Sequence, residues 1–270
     1  MPAQAKQADE VPEGAKIISI GGAVTEIVYA LGAEKQLIGR DTTSSYPKEA
    51  QELPDVGYMR TLSPEGILSL EPEAILFDQS SGPASTIEIL RNATVPMVEI
   101  PEHFSREGIN EKISKIGYAL HRQPQAQALI KKTDDEFAKN DALLAKYSGK
   151  KRILFVLSVQ NGRLMAAGNN TAADGIIKLS GATNAVNGYD GYKLLTDEAV
   201  ISAAPDLILM MGHARISATT DDIYNIPAIA TTPAYKNKAI KQMDGLYLLG
   251  FGPRTPLAVR EVITALNKDE

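Results

Sequence analysis

Leu62-Ser63-Pro64-Glu65-Gly66-Ile67-Leu68-Ser69-Leu70-Glu71-Pro72-Glu73-Ala74-Ile75-Leu76 returns 133 residues later, without gaps, as Leu195-Thr196-Asp197-Glu198-Ala199-Val200-Ile201-Ser202-Ala203-Ala204-Pro205-Asp206-Leu207-Ile208-Leu209. Each copy reads as one structural unit. Ser63 or Thr196 caps a helix, acids in the first turn face the helix dipole, and Pro-Glu or Pro-Asp turns the chain into a buried strand. Helix-turn-strand units converge on such patterns, but a repeat spaced by half the chain fits paired lobes better than one large sheet.

Upstream of the first copy, Ile17-Ile18-Ser19-Ile20-Gly21-Gly22 is a short buried strand ending in glycines, and Thr25 to Leu31 has helical period closed by Gly32. The alternation continues through Gln36 to Arg40, Leu62 to Leu70, Ala74 to Phe77, Ile87 to Asn92 and Met97 to Ile100. Short apolar strands alternating with helices imply parallel sheet covered on both faces. Between Ser105 and Lys150 glycine and proline become rare, which predicts a helix to about His121 and a longer one from Pro124 to about Tyr147. Arg152 to Val159 is the strongest strand, and alternation restarts there. The expected architecture is α/β: two lobes with mainly parallel sheets, residues 15–118 and 150–270, joined by one helical spine over 119–149.

Composition narrows the function. With 270 residues, 44% of them hydrophobic and 23% charged, the chain can bury a sizeable core. Its net charge of -5 is not gathered into blocks, so nucleic acid is a poor partner. No run approaches the roughly 18 consecutive apolar residues of a membrane span, so no membrane insertion is expected. The absence of cysteine removes disulfides, thiolate zinc sites, iron–sulfur clusters and cysteine nucleophiles, and fits an oxidising compartment. Met1 to Gly14 is polar, with no apolar core of a signal peptide, although Ala3-Gln4-Ala5 has the small-x-small form that precedes a cleavage site. No G-x-G-x-x-G, Walker A or G-x-S-x-G motif occurs, and His103, His121 and His213 are isolated, so an enzyme is disfavoured.

What stands out is Asp55-Val56-Gly57-Tyr58-Met59-Arg60-Thr61-Leu62-Ser63, a loop running into the first repeat helix. In an extended segment, Tyr58 and Arg60 point to the same side. A phenolate is a hard anionic donor that suits ferric iron, and tyrosine is a known haem axial ligand. An adjacent guanidinium favours the ionised phenol. From these two residues alone, a tyrosine that plugs the loop against its lobe is the favoured reading.

Four segments carry a resemblance: Ile17 to Gly32, Gly57-Tyr58-Met59-Arg60 into Leu62-Ser63-Pro64-Glu65-Gly66, Ala167 to Asp174, and Leu249-Gly250-Phe251-Gly252-Pro253-Arg254-Thr255-Pro256. Over nearly all of residues 16–266 the chain resembles the periplasmic haem-binding proteins of bacterial haem ABC importers, within the helix-spine, class III periplasmic binding proteins. The resemblance implies a monomeric periplasmic carrier, its leader absent from the sequence as given. It would hold ferric haem in an inter-lobe cleft, with Tyr58 as axial ligand and Arg60 as the ligand's hydrogen-bonding partner. It also implies that Glu65 and Glu198, at matching places in the two repeats, dock onto arginines of an ABC permease. A tyrosinate cancels the charge of a ferric porphyrin, and two propionates then call for cations. Candidates in the second lobe are His213 and Arg215, expected just past a strand ending at Gly212, with Lys193 and Arg254; some relatives stack two haems with a second-lobe donor, for which His213 and Tyr192 are the open choices. The repeat offset carries Tyr58 onto Gly191. Relatives of this fold also carry siderophores or cobalamin, which would use the cleft without Tyr58 as iron ligand. An intracellular α/β enzyme using the same crevice is the alternative from another class.

Overall fold

A computed structural model describes residues 9–147, 150–212 and 219–268. The chain divides into two compact units, Met1–Asp134 with Phe251–Pro253, and Asp135–Gly250 with Arg254–Glu270. The first runs β1 (Ile17–Ile20), α1 (Gly22–Ala30), β2 (Leu37–Arg40), α2 (Pro64–Leu68), β3 (Ala74–Asp78), α3 (Ala84–Asn92), β4 (Met97–Ile100) and α4 (Arg106–Ala119). Its sheet is wholly parallel, in the order β2-β1-β3-β4. The long helix α5 (Gln123–Leu144) follows, and the division between units falls inside it.

The second unit continues with β5 (Arg152–Gln160), β6 (Arg163–Ala167), α6 (Ala172–Leu179), β7 (Thr183–Asn184), β8 (Tyr192–Leu194), α7 (Asp197–Ala203) and β9 (Leu207–Gly212). It closes with α8 (Thr220–Tyr224), α9 (Pro233–Lys236), β10 (Ile240–Asp244), α10 (Gly245–Leu249) and α11 (Thr255–Leu266). The described sheet is ordered β10-β9-β5-β6-β8, with β7 beside β5. β10, β9, β5 and β7 are parallel, whereas β6 runs antiparallel to both β5 and β8.

The sequence repeat is a repeat of structure. α2 and α7 start 133 residues apart, as do β3 and β9. Leu62, Ile67, Ile75 and Phe77 sit in the first core; Leu195, Val200, Ile208 and Met210 hold the same places in the second. Each buried side chain of this size contributes about 1.5–3 kcal/mol, so the shared positions carry much of each unit's stability. Both helix-to-strand turns pass through a residue of positive φ just before the proline, Glu71 at 51° and Ala204 at 38°.

The acid after that proline has a specific task. Glu73 Oε2 accepts the N–H of Lys16 at 2.7 Å, and Asp206 Oδ2 accepts the N–H of Arg152 at 2.7 Å. Lys16 immediately precedes β1 and Arg152 opens β5, the first strands of their respective units. Pro-Glu and Pro-Asp therefore latch each incoming strand to the one it pairs with, β3 to β1 and β9 to β5.

Candidate functional site

Gly57 has φ 98°, a left-handed conformation that glycine adopts without steric cost, and its N–H donates to Asp55 Oδ1 at 2.8 Å. Asp55 is fixed in turn by Arg40 Nη1 at 2.7 Å and by the Thr42 hydroxyl at 3.1 Å. The next residues form a turn rather than the extended segment expected, because the Thr61 N–H donates to the Tyr58 carbonyl at 2.8 Å. Met59 is buried in the core of the first unit, and this anchor turns its neighbours outward: Tyr58 is 43% exposed and Arg60 is exposed. Among the described residues no hydrogen bond joins Arg60 to the phenol.

The turn is bolted to the β3–α3 connection. The Gly82 N–H donates to the Met59 carbonyl at 2.8 Å, and the Leu62 N–H donates to the Gly82 carbonyl at 3.0 Å. The Thr86 hydroxyl then donates to the Leu62 carbonyl at 3.0 Å. An exposed phenol is thus presented on backbone held at both ends, with a cationic side chain two residues on.

The second unit repeats only the order of glycine and exposed tyrosine, with a one-residue shift. Gly191, also of positive φ at 75°, precedes Tyr192, which is 42% exposed. The counterpart of Tyr58 is therefore Tyr192, not the Gly191 that a gapless alignment gives. Tyr192 and Lys193 are consecutive in β8, paired with Ala167 and Ala166, so their side chains leave the strand on opposite faces. Lys193 Nζ lies 5.8 Å from the centre of the Tyr189 ring and lines a cavity of about 490 Å³ with Arg152 and Tyr189. Arg254 stacks its guanidinium over Tyr247, 5.3 Å from the ring centre. Burial, and then the Glu261 carboxylate, push the Tyr247 phenol up to about 12. β9 ends at Gly212 as expected; His213 and Arg215 lie outside the described residues.

Glu65 and Glu198 are both exposed in the first turn of their helices. The Ser63 hydroxyl donates to Glu65 Oε2 at 2.7 Å and caps α2, accepting from the Gly66 N–H at 3.4 Å. Thr196 caps α7 in the same way, accepting from the Ala199 N–H at 3.2 Å. The Ser63 hydroxyl and the residue's own N–H hold Glu65 below the usual carboxylate range. Glu198 is lowered by its own N–H and by Thr196. Both acids are therefore anionic surface groups fixed at equivalent helix starts.

One cluster escaped the sequence reading. Lys112 is fully buried, with Nζ 3.1 Å from Glu102 Oε1 and 3.8 Å from Asp78 Oδ2. Burial raises Glu102 from its usual value near 4.5 to about 8, against the opposing charge of Lys112. Burial also pushes Asp78 up, but hydrogen bonds from Glu102 and Ser80 and the lysine's charge outweigh it and leave Asp78 lowered. Burial thus favours the protonated form of Glu102, while Asp78 is held toward its carboxylate. A legible signal existed: Lys112 falls on the apolar stripe Ile109, Ile113, Ile116 of α4.

A family model described as periplasmic binding protein matches residues 17–246. Among solved structures, the periplasmic heme-binding protein BhuT in complex with two hemes is 37% identical, with TM-score 0.88 over 94% of this chain and 98% of that one. The periplasmic heme-binding protein RhuT from Roseiflexus sp. RS-1 is 34% identical, with TM-score 0.89 over the same shares. An uncharacterised ABC transporter substrate-binding lipoprotein of Bacillus subtilis, YvrC, is 28% identical over 86% of this chain and 68% of its own. The vitamin B12-binding protein of Vibrio parahaemolyticus is 25% identical over 92% and 87%.

Proposed function

We propose, from the premise that the chain belongs to the periplasmic binding protein family, that it captures ferric haem through Tyr58 and hands it to an ABC permease. The family and its relatives here are substrate-binding transport proteins, so the chain is a carrier and not an enzyme, and an ABC permease is its implied partner. No described helix is long and apolar enough to cross a membrane.

The observation that carries the haem reading is the exposed phenol of Tyr58, held on a turn whose backbone is tied at Met59 and Leu62. A phenolate on ferric iron neutralises the porphyrin core, and Arg60 is placed in sequence to stabilise that phenolate as the complex forms. The propionates then need cations, for which Lys193, Arg254, His213 and Arg215 are candidates, with Tyr192 as an additional haem contact. The likeness to BhuT and RhuT supports this cargo. Titrating haemin into the purified protein tests it: saturable appearance of a ferric high-spin spectrum is expected, and no spectral change at equimolar haemin overturns it.

A second reading is cobalamin, favoured by the similarity to the Vibrio vitamin B12-binding protein. Equilibrium dialysis with cyanocobalamin separates the two, since binding unaffected by Tyr58→Ala belongs to cobalamin and not to tyrosinate ligation. For delivery, Glu65 and Glu198 are proposed as the docking acids. Reversing both charges is expected to spare haem binding and to stop uptake into proteoliposomes holding the cognate permease, because like charges would then face each other across the interface. Normal uptake by the double variant removes them from the docking surface.

A further inference from the structure

We propose that the buried trio Asp78, Glu102 and Lys112 is the positioning element of the Tyr58 turn, holding it in the one shape that presents the phenol. The inference rests on Tyr58 being the ligand, but the positioning itself can be measured without haem.

The connection is short and continuous. Asp78 is the last residue of β3, and its Oδ1 accepts the Ser80 N–H at 2.8 Å and the Ser80 hydroxyl at 2.6 Å. Its carbonyl accepts the Ser81 N–H at 2.9 Å, and the next residue, Gly82, clasps Met59 and Leu62 on either side of Arg60. The Ser81 hydroxyl is buried without a hydrogen-bond partner, a cost the segment bears only if its neighbours fix it in place. That fixed point is Asp78, whose Oδ2 lies 3.8 Å from Lys112 Nζ of α4, and Lys112 is held in turn by Glu102 from the segment after β4. On the β1 side, Gly21 packs against Asp78 so closely that a Cβ there would come within 2.9 Å, and it brings no charge. His103 and Glu111 pair with each other at the exposed surface.

The charge balance explains why three groups are needed. One lysine facing two ionised carboxylates leaves a net negative charge in a largely buried place; a single proton on Glu102 removes it and supplies a donor to Asp78. Glu102 is pushed up to about 8, so that proton is kept at neutral pH and lost in mild alkali. Once it is lost, repulsion falls on Asp78 and on the loop that Asp78 anchors.

The test follows hydrogen-exchange protection of the Gly82 and Leu62 amides in the ligand-free protein, with haem affinity measured alongside. In the wild type, protection is expected to fall as pH rises through about 8. Glu102→Gln, which mimics the protonated acid, should keep protection flat and bind haem normally near neutral pH. Asp78→Asn should lower protection and haem affinity by about tenfold while the bound spectrum stays that of tyrosinate ligation. Should Asp78→Asn fail to fold, Ser80→Ala cuts only the hydroxyl bond and should lower protection at Gly82 by a few-fold, about the worth of one hydrogen bond. Equal protection in wild type, Ser80→Ala and Glu102→Gln at every pH overturns the proposal. If the amides respond but haemin does not bind, the cargo assignment fails and the positioning stands; haem bound through Tyr58 with unresponsive amides gives the reverse.

Discussion

Both units set a positive-φ glycine before an exposed tyrosine, then a buried leucine, a hydroxyl cap and an acid in the first turn of a helix. In the second unit the leucine follows directly after a three-residue edge strand, and backbone pairing with β6 fixes the direction of each side chain. In the first unit one more residue stands between glycine and leucine, and the chain makes a turn that buries Met59 and turns out Tyr58 and Arg60. The insertion gives up a strand and gains a presented phenol beside a cation. Positions common to the two units build the core; the extra residue makes the difference in chemistry.

The comparison breaks hardest in the cores. Leu62→Ala and Leu195→Ala should each destabilise by about 2–5 kcal/mol, read by urea unfolding, and a loss confined to one variant would mean that the units do not share their packing logic. Next comes the tyrosine pair. Tyr58→Ala should weaken haem binding at least about 100-fold, near 2.7 kcal/mol, while Tyr192→Ala changes it less than about tenfold. Equal losses in spectral titrations would make the two tyrosines functional equivalents.

The caps offer a finer measurement. Ser63→Ala and Thr196→Ala should each cost about 1 kcal/mol, with haem affinity unchanged. The smallest effect lies in acid. Glu65 and Glu198 are both lowered, so their stabilising contribution is complete above the usual carboxylate range and is lost as pH falls through their depressed values. Glu65→Gln and Glu198→Gln should therefore flatten the acid limb of the stability curve slightly and equally; a response to only one would separate the two helix starts.

The first sheet was almost fully legible because its strands are short, apolar and parallel: Met97 to Ile100 and Ala74 to Phe77 were placed to within a residue of β4 and β3. β6 and β8 were not, since Arg163–Ala167 mixes charged and small residues and Tyr192–Leu194 is too short to show a period. The repeat's latch was visible as Pro-Glu and Pro-Asp, but its purpose needed the hydrogen bonds to Lys16 and Arg152. Tyr58 and Arg60 were readable as a pair; the turn that presents them was not, because burial of Met59 depends on a core formed by distant strands. Lys112 on the apolar stripe of α4 was a legible signal, but its partners Asp78 and Glu102 were not, as the three come together only when β3, β4 and α4 pack.

Gly57 offers a practical consequence. An added Cβ there would meet no atom within 4 Å, so what bars a side chain is the backbone torsion alone. A residue of opposite chirality prefers that torsion, and introducing D-alanine by chemical ligation should rigidify the approach to Tyr58 by narrowing the unfolded chain's choices, worth about 0.4–1 kcal/mol.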